Sequence, residues 1–132
     1  MSSEQTERLI SAALDVRAHA YVPYSNFRVG AAVLTSDGTL FTGCNVENAS
    51  YGLTVCAERS AVVSAVSAGK HRLVALAIVT DGGKTPCGAC RQVLAEFADD
   101  LTVYLVDADR DEKNVVEVKL KELLPDGFSL EE

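Results

Sequence analysis

The sequence predicts an α/β fold in which a mixed sheet carries helices on both faces. Three observations predict it. The stretch LVALAIVT (73–80) is apolar on both its faces, the mark of a central strand covered on either side. Two apolar runs flank Asp37-Gly38, a dipeptide suited to hairpin turns that need positive φ. Helical and strand periodicities then alternate in the order α-β-β-α-β-α-β-β-α, without internal repeats or low-complexity segments. A length of 132 residues suits one domain spanning 1–132.

The elements follow in order. Leu9, Ile10, Ala13, Leu14, Ala18 and Tyr21 recur at helical spacing, so the first helix should run to about Tyr21. Ser2 and Gln5 offer it a capping box, and Pro23 disfavours helix in the residue before it. FRVGAAVLTSDGTLFTGCNV (27–46) reads as the hairpin, with Gly30 and Gly43 marking close backbone approach inside its strands. ENASYGLTV (47–55) reads as a loop. A helix is expected from about Val55 to Ala68, with Ala57, Ala61, Val62, Ala65 and Val66 on one side and Gly69 at its C-cap. After the central strand and the loop DGGKTP comes a helix from Cys87 to Phe97 and a further strand, LTVYLV. DADRDEKN (107–114) reads as a solvated turn, VVEV as a short edge strand, and KLKELL as a short helix stopped by Pro125.

Composition narrows the function. Hydrophobic residues make up 48% of the chain, ordinary for a globular protein, and no apolar run is long enough to span a membrane. The N-terminal MSSEQTERLI is polar and acidic, unlike a secretion signal, so a cytoplasmic protein is expected. The net charge is −7 and no basic stripe is present, which argues against a nucleic acid polymer as partner, because polyphosphates are held mainly by Lys and Arg. A small uncharged ligand fits better.

Cys44, Cys56, Cys87 and Cys90 are the only cysteines. In a reducing compartment clustered thiols more often bind metal or do redox chemistry than form disulfides. Cys87 and Cys90 are three apart at a helix start, so both thiols share one face. Cys56 also opens a helix. If the two helix N-termini face each other, three sulfurs converge where the helix ends favour thiolates. Zinc suits such soft ligands. A structural zinc has four protein ligands and a catalytic one three, and TVCAERSAV supplies Glu58 two residues after Cys56, within reach of a water at a fourth position. Without a metal, Glu58 would simply be a first-turn carboxylate. His19 reads as helix surface, His71 as a surface residue before a strand, and Cys44 as a small buried apolar residue. A redox CxxC would leave Cys56 and Glu58 unused, and the pair is not expected to open the first helix of a βαβ unit.

CAER followed by PCGACRQ resembles the cytidine deaminases of the small homotetrameric type. AYVPYSNFRVGAA and GCNVENASYG resemble that family's substrate segments, and ELLPDGF its C-terminal motif, so the likeness runs from about residue 20 to 128. The resemblance implies a three-layer α/β/α sandwich around a mixed five-stranded sheet. It implies hydrolysis of cytidine or 2′-deoxycytidine to uridine or 2′-deoxyuridine and ammonia, a step of pyrimidine salvage. Cys56, Cys87 and Cys90 match the ligands of one Zn2+ per subunit, and Glu58 the proton shuttle for a zinc-activated water attacking C4. Asn45 and Glu47 match residues that hold the ribose hydroxyls, Phe27 an aromatic packed on the nucleoside, and the backbone around Ala57 the part that meets the pyrimidine carbonyl. Phe128 matches an aromatic donated to a neighbour's active site in a homotetramer.

These assignments suit the residue types. Asn45 and Glu47 alternate across Val46, so in an extended chain they point to one side; otherwise they cap a strand end. Phe27 and Phe128 would be core residues by default, but Phe128 follows Pro125-Asp126-Gly127 in a polar tail. Three thiolates and Zn2+ sum to −1, which works against activating water. Arg59 is therefore expected to tune the metal by donating to a ligand sulfur, with Arg91 a second candidate and an ordinary salt bridge the alternative for both. Four functions remain open at this point: a free-nucleoside deaminase, a deaminase of another amino-heterocycle, a polynucleotide-editing deaminase, and a structural zinc module.

Overall fold

A computed structural model describes residues 1–109 and 114–130 of the chain. The middle of the expected 107–114 turn, residues 110–113, lies outside the described residues.

The first helix, α1, spans Ser3–Arg17 and opens on the capping box the sequence offers. The Ser2 hydroxyl accepts from the Gln5 N–H at 3.1 Å, and the Gln5 side chain accepts from the Ser2 N–H at 3.1 Å. Leu9, Ile10 and Ala13 bury its inner face. It stops at Arg17, four residues short of the expected Tyr21, and Leu14 and Tyr21 are exposed. The reason is a competing backbone partner. The Tyr21 N–H donates to the Asn45 carbonyl (3.0 Å) and its carbonyl accepts from the Glu47 N–H (2.8 Å), so this residue pairs with an extended segment instead of continuing the helix.

Strands β1 (Gly30–Thr35) and β2 (Leu40–Cys44) form the expected hairpin, in register from Gly30 opposite Cys44 to Leu34 opposite Leu40. At its turn Gly38 adopts φ +88°, while the Asp37 carboxylate accepts from the Thr35 and Thr39 hydroxyls and from Lys70 Nζ (2.6 Å). The 47–55 segment is not all loop. Tyr51–Leu53 forms one 3₁₀ turn, and Val55 is extended and pairs with Val46, so helix α2 begins at Ala57 and not at Val55. Helix α2 (Ala57–Ser67) ends before Gly69, which takes φ +84°.

Strand β3 (Leu73–Thr80) is the central strand, paired antiparallel to β1 and parallel to β4 (Thr102–Asp107). Helix α3 (Gly88–Glu96) joins these two parallel strands. The cysteine pair therefore does open the crossover helix of a βαβ unit, contrary to the sequence expectation. The parallel pairing decides this, and periodicity cannot reveal pairing. Strand β5 (Val115–Lys119) closes the sheet as an edge strand antiparallel to β4, followed by the short helix α4 (Leu120–Leu123).

The sheet order is β2-β1-β3-β4-β5. One face carries α1 on Leu34, Ala75, Ala77 and Val79. The other carries α2 and α3 on Val33, Leu76, Ile78 and Val103. The result is the mixed five-stranded sheet between helical layers that the sequence predicts. Gly43 sets how closely α2 lies on β2: a Cβ there would stand 2.4 Å from the Ala61 nitrogen and 2.6 Å from the Ala57 carbonyl oxygen. Among the described residues no helix is long and apolar enough to cross a membrane.

Candidate active site and metal centre

Helices α2 and α3 lie on the same face of the sheet, and each takes a cysteine as its N-cap: Cys56 for α2 and Cys87 for α3. Cys90, one turn into α3, is fully buried. The three sulfurs lie within 4.8 Å of one another, with Cys87 and Cys90 Sγ 3.2 Å apart. Cys87 Sγ also accepts from the Cys90 N–H at 3.4 Å. Among the described residues no fourth His, Cys, Asp or Glu joins this group, and His19 and His71 are exposed elsewhere. Cys44 is half-buried and outside the group.

Glu58 is the second residue of α2 and only 5% exposed. Burial pushes its carboxyl above the ordinary carboxylate range; the Cys56 thiolate adds to this, while the Cys90 thiol and the residue's own N–H work against it. Cys56 is lowered to about 5, first by the Cys90 thiol and then by Arg59, whose Nη2 donates to Cys56 Sγ at 3.4 Å. Cys90 is correspondingly pushed up, because it is the donor toward Cys56 and is buried. Arg59 Nε is buried without a hydrogen-bond partner.

Arg91 behaves differently from Arg59. Its Nε donates to the Pro86 carbonyl (2.7 Å), Nη1 to the Leu123 carbonyl (2.7 Å) and Nη2 to Thr85 Oγ1 (3.0 Å). It braces the loop before Cys87 against the end of α4.

The polar residues after β2 turn toward the 24–29 segment. Asn45 Oδ1 accepts from the Val29 N–H (2.9 Å), and Asn45 Nδ2 donates to the Phe27 carbonyl (2.8 Å). The Glu47 carboxylate accepts from the N–H groups of Tyr24 (3.0 Å) and Ser25 (3.2 Å) and from the Ser25 hydroxyl, which holds it below its usual range. Both side chains therefore lie on one side, and they fix the loop carrying the half-exposed Phe27. Ala57 is the first residue of α2, so its N–H has no partner within the helix. Phe128 is 70% exposed and lines a hollow with His71, Ala95 and Asp99 at the far end of α3 from the sulfurs. Sequence reasoning missed Ser25, Gln92 and the true role of Arg91. Ser25 reaches the Glu47 carboxylate, Gln92 the Phe128 main chain and Arg91 the Leu123 carbonyl, all remote in sequence, and a single sequence carries no signal for such pairings.

The family model for the cytidine and deoxycytidylate deaminase zinc-binding region matches residues 3–106. The chain belongs to this family. Cytidine deaminases of Sporosarcina psychrophila and Halalkalibacterium halodurans are each 49% identical to it over 129 residues, covering 96% of this chain and 93% and 96% of theirs. The crystal structure of cytidine deaminase from Burkholderia pseudomallei superposes with a TM-score of 0.86 at 47% identity, covering 97% of this chain and all of that one. The α/β/α sandwich is thus the family's fold. The chain accordingly holds one zinc per subunit, and its thiols fit that ion: three soft donors share one centre at two helix N-termini.

Proposed function

We propose that this one-domain protein hydrolyses free cytidine and 2′-deoxycytidine to uridine and 2′-deoxyuridine with release of ammonia. The observation that carries the reading is a buried carboxyl, Glu58, beside three clustered thiols that no fourth ligand joins among the described residues. Four ligands would describe a structural site.

Cys56, Cys87 and Cys90 would hold the zinc, which when bound supplies an acidified water for attack on C4 of cytosine. Glu58 accepts a proton from that water and delivers it to N3. It would then take the proton of the hydroxyl added at C4 and pass it to the departing amino group, so that the C4–N bond breaks, ammonia leaves and the C4 carbonyl forms. Its raised proton affinity suits a group that must carry a proton between steps. The free N–H at Ala57 suits the pyrimidine carbonyl. Phe27 packs on the nucleoside, and Asn45 and Glu47 face the ribose. Glu47, held as a carboxylate, can only accept hydrogen bonds, which fits hydroxyl donors and repels a phosphate. With a net charge of −7, this favours nucleosides over nucleotides or polynucleotides.

Arg59 withdraws charge from the cluster through Cys56. Phe128, exposed in its own subunit, completes a neighbour's site in a homotetramer. The four free cysteines suit a reducing cytoplasm, where the reaction returns pyrimidine nucleosides to use.

The test is a purified-protein assay following loss of cytosine absorbance on cytidine. Wild-type protein should turn over, and a chelator should stop it. Glu58→Gln should keep its zinc and lose at least about a hundredfold in kcat, within the range for a general acid-base group. Turnover by Glu58→Gln within a fewfold of wild type would remove the proton-shuttle mechanism.

A further inference from the structure

We infer that Gln92 is a positioning residue for the neighbouring subunit's substrate site, although it lies two residues after Cys90 of its own. The inference rests on the reading of Phe128 given above. The Gln92 side chain grips the main chain of Phe128 from both directions: Nε2 donates to the Phe128 carbonyl at 2.9 Å, and Oε1 accepts from the Phe128 N–H at 3.4 Å. A primary amide pairs here with a peptide group as one strand pairs with another, fixing the backbone while leaving the ring untouched. The residue stays 70% exposed. That is the arrangement needed to present a side chain to another molecule.

The preceding residue completes the grip. Arg91 Nη1 donates to the Leu123 carbonyl at the end of α4, so adjacent residues of α3 hold the tail on both sides of the Pro125-Asp126-Gly127 turn. The turn itself is sharp: Asp126 takes φ +54°, and the Leu124 side chain lies against Gly127. Beyond it, Leu130 is 89% exposed. Without the amide clamp, Phe128 would be a free tail residue whose ordering must be supplied at the moment of docking, which weakens binding. With it, the ring is held before the neighbour arrives. Among the described residues the hydrogen bonds of the Gln92 side chain go to Phe128 and not to the sulfurs of its own subunit. Its amide is committed to the tail.

The test uses full-length zinc-loaded enzyme. Gln92→Ala should raise KM for cytidine about three- to tenfold, the scale of losing one or two exposed hydrogen bonds, with kcat and zinc content near wild type. Gln92→Glu has the same shape and keeps the acceptor but cannot donate to the Phe128 carbonyl, so KM should rise there too. In a Phe128→Ala background, Gln92→Ala should add nothing. Mixed oligomers assign the direction. Chains carrying Phe128→Ala keep Glu58 and report activity, while partner chains carrying Glu58→Gln are inactive but can donate Phe128. Donors with Gln92 should lower the KM of the reporters, and donors with Gln92→Ala should not.

If Phe128→Ala raises KM while both Gln92 variants match wild type, the clamp is overturned and the reading of Phe128 stands. A Phe128→Ala enzyme with wild-type KM overturns both. An equal effect of Gln92→Ala with and without Phe128 would put Gln92 in its own subunit's site and overturn the inference.

Discussion

Arg59 and Arg91 make the same impression in sequence, since each follows a zinc-ligand cysteine closely. The structure separates them by where the guanidinium is spent. Arg91 is consumed by three oxygens of Thr85, Pro86 and Leu123, while Arg59 reaches Cys56 Sγ. Removing Arg59 leaves the ligand set intact but returns negative charge to it. Arg59→Ala should therefore retain zinc at neutral pH and lose about 10- to 100-fold in kcat, the usual cost of a lost outer partner. The pH dependence has a definite sign. Arg59 helps hold Cys56 down at about 5, so its loss raises the Cys56 value and lets protons compete with zinc at higher pH. The pH at which half the zinc is released should move upward, as measured by metal content after equilibration across acid pH. A release curve unchanged from wild type, together with normal turnover, would show that Arg59 has no part in tuning. The three thiols and Glu58 were legible in sequence because helix starts and short spacings decide them. The division of labour between the two arginines was not, because it depends on remote carbonyls.

At the scale of elements, the site is set by how α2 and α3 lie on the sheet. Gly43 lets α2 rest backbone-to-backbone on β2, and Gly30 does the same for α1, where a Cβ would stand 2.1 Å from the Ala13 carbonyl oxygen. Backbone neighbours cannot swing aside, so an added methyl must push the whole helix, at about 1–3 kcal/mol for an overpacked contact. Gly30→Ala and Gly43→Ala should both lower Tm by several degrees. Only Gly43→Ala should also lower kcat, because α2 carries Cys56 and Glu58 while α1 covers the opposite face. Equal kcat for the two folded variants would show that the seating of α2 on β2 does not set the chemistry. Both glycines were readable as close approaches, and so were the hairpin turn and the doubly buried β3. Two things were not. The end of α1 is decided by a bridge from Tyr21 to a segment some 25 residues on, and the crossover role of α3 by parallel pairing of β3 with β4. Both are tertiary choices that override local pattern.

At the scale of the molecule, one subunit shows surface that a finished enzyme would not leave bare. Tyr21, Val46 and Val55 stand side by side in a short backbone ladder, all exposed, and near them the exposed rings of Tyr24 and Tyr51 meet edge to face at 6.4 Å. Periodicity placed Tyr21 on a helix face, Val46 in the hairpin and Val55 at a helix start, so it could not bring these residues together; the extended pairing that does so is tertiary. In the homotetramer proposed above, contact with further copies of the chain would cover such a patch and bring Phe128 within reach of a neighbour. The oligomer then has a kinetic consequence. On that proposal a dissociated subunit would keep its three thiols and Glu58, which come from α2, α3 and their N-caps, but lose the aromatic wall that another copy would supply. Diluting the enzyme through its dissociation, followed by sedimentation, should therefore raise KM for cytidine about tenfold, the scale of losing one buried aromatic contact. Zinc content should hold, and kcat should fall far less than kcat/KM. The rise should vanish for Phe128→Ala, whose subunits have nothing to lose by separating. A KM that stays constant while sedimentation shows free subunits would mean that each subunit binds cytidine unaided, and that the exposed tail serves assembly alone.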